Sequence, residues 1–192
     1  YWEGVIAQFF YVGVQIMCWT FIIQYGTRVF MAEGMDEQSA EVLSQTYNII
    51  AMVLFVSCRF LCTWLMKYLQ PSKLLTIFAI GGMIATAGVI FLQNRLGLYC
   101  LVAVSGFMSL MFPTIYGIAL GGLGDDAKFG AAGLIMAILG GSVLPPLQAW
   151  IIDKGTVGFL PAVNASFILP FICFIVVCLY GVRSTKIHLA RK

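Results

Sequence analysis

The stretch VIAQFFYVGVQIMCWTFIIQY, from Val5 to Tyr25, contains no charged side chain, yet it carries polar groups at regular intervals. A helix rises about 1.5 Å per residue, so a run of this length crosses a hydrocarbon core about 30 Å thick. Gln8, Tyr11, Gln15, Cys18 or Trp19, and Ile22 recur at steps of three and four residues, which places them on one stripe of that helix. A membrane-spanning helix with amides and amphipathic rings on one face is built to meet something other than lipid.

Five further stretches are long and apolar enough to do the same. They run from Tyr47 to Met66, Leu74 to Leu92, Leu98 to Leu120, Ala131 to Ile152 and Val157 to Val182. The sequence therefore predicts an all-α membrane protein of six transmembrane helices, one domain over residues 1–192 with spans at about 5–25, 47–66, 74–92, 98–120, 131–152 and 157–182. Composition agrees: 61% of the 192 residues are apolar and 10% are charged, where soluble chains are about one quarter charged.

The charges fall between the spans, in Arg28 to Glu41, Lys67 to Lys73, Arg95, Asp125 to Lys128, and Asp153 with Lys154; only Arg59 lies well inside one. One set of alternate connections holds Lys67, Lys73, Lys128, Arg183, Lys186, Arg191 and Lys192, and the other holds Arg28, Arg95 and Lys154. Basic residues are retained on the cytoplasmic side, so both chain ends are expected there. The net charge of +3 comes largely from the basic tail beside the last span, a topology signal that gives no ground for nucleic-acid binding. The start at Tyr1, with no basic region and no small-residue cleavage site ahead of the apolar run, reads as a cut inside a longer protein and not as a signal peptide. All six cysteines sit in apolar runs without metal-ligand spacing and read as free thiols.

Hydrocarbon offers no hydrogen-bond partner, so Gln8 and Gln15 must face another helix, a wet cavity or a ligand. Sugar hydroxyls need such paired donors and acceptors, and the ring of Trp19 suits the C–H face of a pyranose. Helix-to-helix glue is the competing reading, with about equal claim at Gln8 and less at Gln15. In the fourth span Ser105, Ser109, Phe112, Pro113, Thr114 and Tyr116 cluster, and the proline predicts a mid-membrane kink. Gly117 with Gly121, and Gly133 with Ala137 and Gly141, have the four-residue spacing of close helix packing. Pro145 and Pro146 predict a break or bend toward the outer end of the fifth helix. Arg59, near enough to one end of its span to snorkel, suggests a cytoplasmic gate contact with Asp125 or Asp126. No Asp, Glu or His lies within a span. Intramembrane hydrolysis and metal catalysis therefore have no candidate residues, and neither a catalytic nor a metal site is expected.

Four segments, AQFFYVGVQIMCWTFIIQYG (7–26), RFLCTWLMKYLQPSKLL (59–75), SGFMSLMFPTIYGIALGGLGDDAKFG (105–130) and GGSVLPPLQAWIID (140–153), together carry a resemblance. Over residues 1–183 the chain resembles the C-terminal half of the fucose–galactose–glucose proton symporters of the major facilitator superfamily. In that family two six-helix halves enclose a central cavity, and the counterparts of Trp19 and Phe112 line its C-terminal side. The resemblance implies a multi-pass transporter of the bacterial inner membrane performing sugar–proton symport by alternating access. Its substrate would be a small neutral monosaccharide, L-fucose first and galactose or glucose next. Gln8, Tyr11, Gln15, Trp19, Ser109 and Phe112 are the candidate substrate contacts. The partners implied are the sugar, the lipid bilayer and an N-terminal six-helix half; no cofactor is implied beyond coupling protons, which bind acids on that other half. Two departures stand out: the family pattern has tyrosine where Phe112 stands, and glycines where Cys58 and Cys62 stand. Transport of another solute, such as an amino sugar or a drug by antiport, and a non-transporting six-helix assembly protein are the rival readings.

Overall fold

The computed structural model describes residues 1–190; Arg191 and Lys192, which contribute to the basic tail, lie outside the described residues. Among the described residues, six helical spans are present. They are α1 (Trp2–Ala32), α2 (Glu37–Leu65), α3 (Pro71–Phe91), α4 (Arg95–Met108) continued by α5 (Met111–Leu120), α6 (Ala127–Met136) continued by α7 (Gly140–Asp153), and α8 (Ala162–Ser166) continued by α9 (Ile168–Ala190).

The helices overrun the apolar stretches, most at the start of α2, which begins at Glu37 and not near Tyr47. Apolar length reports the hydrocarbon thickness, whereas a helix that already satisfies its own backbone continues into the headgroup region. The sixth span is a correction in the other direction. Val157 to Pro161 is not helical, because Thr156–Val157 (β1) pairs antiparallel with Leu160–Pro161 (β2). Gly155 and Gly158 hold φ of +79° and +64°, which turn this hairpin before α8 begins.

Prolines account for two of the interruptions. Pro113 has no N–H to give the carbonyl four residues back, and the chain breaks there, at Ser109 and Leu110 between α4 and α5. Pro170 acts on Ser166 in the same way, and α8 ends at that residue. Both serines turn their hydroxyls back on the chain, Ser109 Oγ donating to the Gly106 carbonyl at 2.8 Å and Ser166 Oγ to that of Val163 at 2.7 Å. The prolines of the fifth span behave differently. The chain stays α-helical through Pro145 and Pro146, and the departure from α geometry is the 3₁₀ turn Ala137–Leu139 upstream of them.

The centre of the bundle is α1, which packs against α2, α4, α5, α7 and α9. Small residues let it do so. A Cβ on Gly140 would strike the backbone carbonyl of Phe9, and one on Gly141 would press on Val12 and Ile16 at 3.0–3.1 Å. The pair Gly117 and Gly121, read from its spacing as a packing surface, meets no neighbouring helix. The second and fifth spans are the least buried, with 17% and 28% of their most apolar windows covered, against 56% for the first and fourth.

At one end of the bundle a buried polar clasp ties three segments together. Carbonyls at the end of α3 have no partner in the next turn. Tyr25 on α1 donates its hydroxyl to the Val89 carbonyl at 3.1 Å and reaches that of Leu92, while Asn164 Nδ2 on α8 donates to the same two at 3.0 and 3.4 Å. Nearby, at the surface, Arg95 pairs with Glu33 through Nη2 and Oε2 at 2.7 Å, its guanidinium over the Phe30 ring.

Candidate functional site: a half-open aromatic wall

Three helices meet at Trp19. Its indole, half-buried on α1, donates Nε1–H to Ser105 Oγ on α4 at 3.3 Å. The ring of Phe55 on α2 meets it edge to face, with centroids 5.0 Å apart and planes at 83°. One turn back along the same face, Gln15 is also partly open, and neither its amide oxygen nor its nitrogen is engaged among the described residues. Phe112 of α5, half-buried, stacks with Tyr116 and lies edge-on to Tyr11. Gln15, Trp19 and Phe112 are thus accessible side chains offering an amide and two aromatic rings.

The other expected contacts are turned inward. Tyr11 is fully buried, and its hydroxyl is spent on the Met108 carbonyl at 3.0 Å. Ser109 is buried against α2, with Cys62 Sγ 3.8 Å from its Oγ. Gln8 is the sharpest departure: it is fully buried, and both polar atoms of its amide lack a hydrogen-bond partner among the described residues. A stripe read from helical spacing includes all of these residues because α1 is nearly surrounded; spacing gives direction around the helix, not which turns a neighbour covers.

Arg59 is exposed on α2. The contact expected with Asp125 or Asp126 is not made. Both acids are exposed in a short 3₁₀ turn before α6, and the ion pairs formed among the described residues are Arg95–Glu33 and Arg183–Glu3. No group of His, Cys, Asp and Glu among the described residues is placed to hold a metal ion. Two site residues, Ser105 and Phe55, were missed as partners of Trp19. Ser105 lies in a cluster of polar residues that marks it as noteworthy, but nothing in the sequence of α2 distinguishes Phe55 from its apolar neighbours.

A partly accessible amide and two partly accessible aromatic rings thus belong to a six-helix membrane bundle whose second and fifth spans are left largely uncovered. Comparison with known proteins places it further. The chain is 59% identical, over 97% of its length, to the L-fucose-proton symporter of Haemophilus influenzae, and 32% identical over 93% to that of Escherichia coli K12. It is 28% identical over 95% to a glucose/galactose transporter of Brucella abortus. Among solved structures, a major facilitator superfamily transporter in the outward conformation matches with a TM-score of 0.83 at 30% identity, covering 95% of this chain. No protein-family model matches. The chain belongs to the fucose–galactose–glucose proton symporter family of the major facilitator superfamily, and corresponds to its C-terminal half. It spans 42% and 38% of the two symporters' own lengths and 41% of the solved chain.

Proposed function

We propose that this chain supplies one wall of the sugar site in a proton-coupled monosaccharide transporter of the bacterial inner membrane, with L-fucose the first-choice substrate and galactose or glucose next. The observation that carries the reading is that Gln15 and Trp19, one turn apart on α1, are both partly accessible, so that a free amide adjoins an aromatic ring, with Phe112 of α5 partly accessible as well. An amide can both donate to and accept from hydroxyls, and an aromatic face attracts polarised C–H groups, which is the mixed demand of a pyranose. The printed names of the relatives, L-fucose-proton symporter and glucose/galactose transporter, support that substrate class.

Transport follows by alternating access: this half rocks against an N-terminal six-helix partner, with the sugar held between them near the bilayer midplane. Both ends of the chain lie in the cytoplasm, as the bias of basic residues suggests. This half has no acid or histidine in its apolar core, so the proton is bound by carboxylates of the other half. Arg59, exposed and paired with no acid among the described residues, faces that partner.

The test is uptake of labelled L-fucose, galactose and glucose into vesicles bearing the full-length protein, recorded together with external pH. Sugar-dependent proton entry with one preferred sugar supports the reading. Uptake of an amino sugar or a drug in exchange for protons, or no solute-dependent proton movement, overturns it.

A further inference from the structure

Trp19 is held from two neighbouring helices, by a hydrogen bond from α4 and a ring contact from α2, and the way it is fixed decides what it can offer a ligand. Its single hydrogen-bonding group, the indole N–H, is already given to Ser105 Oγ at 3.3 Å. Ser105 is 1% exposed, so the acceptor is buried inside the bundle. Phe55, 8% exposed, braces the ring at right angles from α2. Rotating the indole about χ1 or χ2 would break the bond to α4 and the edge-to-face contact with α2 together.

We infer that Ser105 is a positioning residue that sets sugar specificity: by holding the Trp19 N–H, it leaves the wall an aromatic surface with no donor of its own. This inference rests on the reading above that Trp19 faces the sugar. An indole presented in this way recognises a contiguous patch of C–H groups and gains nothing from a hydroxyl. Pyranoses with an axial C4 hydroxyl carry the hydrogens of C3, C4 and C5 on one face and present such a patch. Their C4 epimers, with that hydroxyl equatorial, break it up. Gln15, one turn away with its amide free, is then the group that meets hydroxyls. An unpinned Trp19 would swing its N–H toward the ligand and accept either epimer.

The experiment uses the full-length protein labelled with 5-fluorotryptophan, the Trp19 resonance being assigned by its loss in Trp19→Phe. Without sugar, Ser105→Ala is expected to shift and broaden that resonance, while Ser105→Thr, which keeps the hydroxyl, leaves it in place. With sugar, Ser105→Ala weakens L-fucose binding by about fivefold, the worth of one ordinary hydrogen bond. It also narrows the preference for L-fucose over its C4 epimer, 6-deoxy-L-glucose, and Ser105→Thr restores both. A sugar-free resonance unchanged in Ser105→Ala overturns the tie. A moved resonance with affinity and epimer preference intact overturns the positioning role. If no sugar perturbs the Trp19 resonance of the wild type, the sugar-facing reading itself fails and this inference falls with it, a result distinct from the first two.

Discussion

The clasp formed by Tyr25 and Asn164 permits a quantitative test of how the bundle holds its ends. Two donors serve the same two carbonyls, Val89 and Leu92, so removing either leaves the other in place. Tyr25→Phe and Asn164→Leu alone should each cost about 0.5 to 1.5 kcal/mol, in the range of single interhelical hydrogen bonds in membranes. Together they strand both carbonyls at a site where Tyr25 and Asn164 are 1% and 3% exposed. A buried acceptor left unpaired costs about 1 to 3 kcal/mol. The double variant should therefore lose at least about 1 kcal/mol more than the sum of the singles. The assay is SDS-titrated unfolding of the full-length protein in bicelles, read as a double-mutant cycle. Additivity within about 0.3 kcal/mol would refute the reasoning, since independent sites behave that way.

Two further substitutions probe the interior. Gly140→Ala drives a methyl into the Phe9 carbonyl, a backbone atom that cannot move aside, and should destabilise the protein by about 1 to 3 kcal/mol in the same unfolding assay; a neutral result would mean that α1 and α7 are not in this contact. Gln8→Leu replaces a buried amide with no partner by an apolar side chain of similar size, and should hold or raise the melting temperature; a clear drop would show that Gln8 has a partner in the whole protein.

Much of this was legible in the sequence because a bilayer simplifies the problem. Six apolar runs separated by charged connections leave few alternatives to six helices, and Pro113 marked the break in the fourth span by removing a donor that the preceding turn needs. Pro170 carried the same signal for the break at Ser166, while Pro145 and Pro146 carried it and the helix ran on. A proline lowers the cost of a break; whether a break occurs depends on what packs around it. The same limit governs the site. Gln8, Tyr11, Gln15 and Trp19 share a stripe, but α4 and α5 cover Tyr11 and Gln8 is buried as well, while the other two stay half open. Phe55 could not be foreseen, since its role arises only from the approach of α2 to Trp19. Val157 looked like the start of a span because its neighbours are apolar, yet Gly155 and Gly158 supply the positive φ values that make a hairpin cheaper than a helix there.

The central claim is that Gln15 and Trp19 form part of the wall that touches the sugar. Equilibrium binding of L-fucose, D-galactose and D-glucose to the full-length protein, measured by calorimetry for the wild type, Gln15→Ala and Trp19→Ala, tests it most directly. Loss of the aromatic contact is expected to cost about 0.5 to 2 kcal/mol, a fall in affinity of roughly two- to thirtyfold for the preferred sugar, measured on matched amounts of folded protein. Affinity unaltered by both substitutions in well-folded protein would contradict the claim.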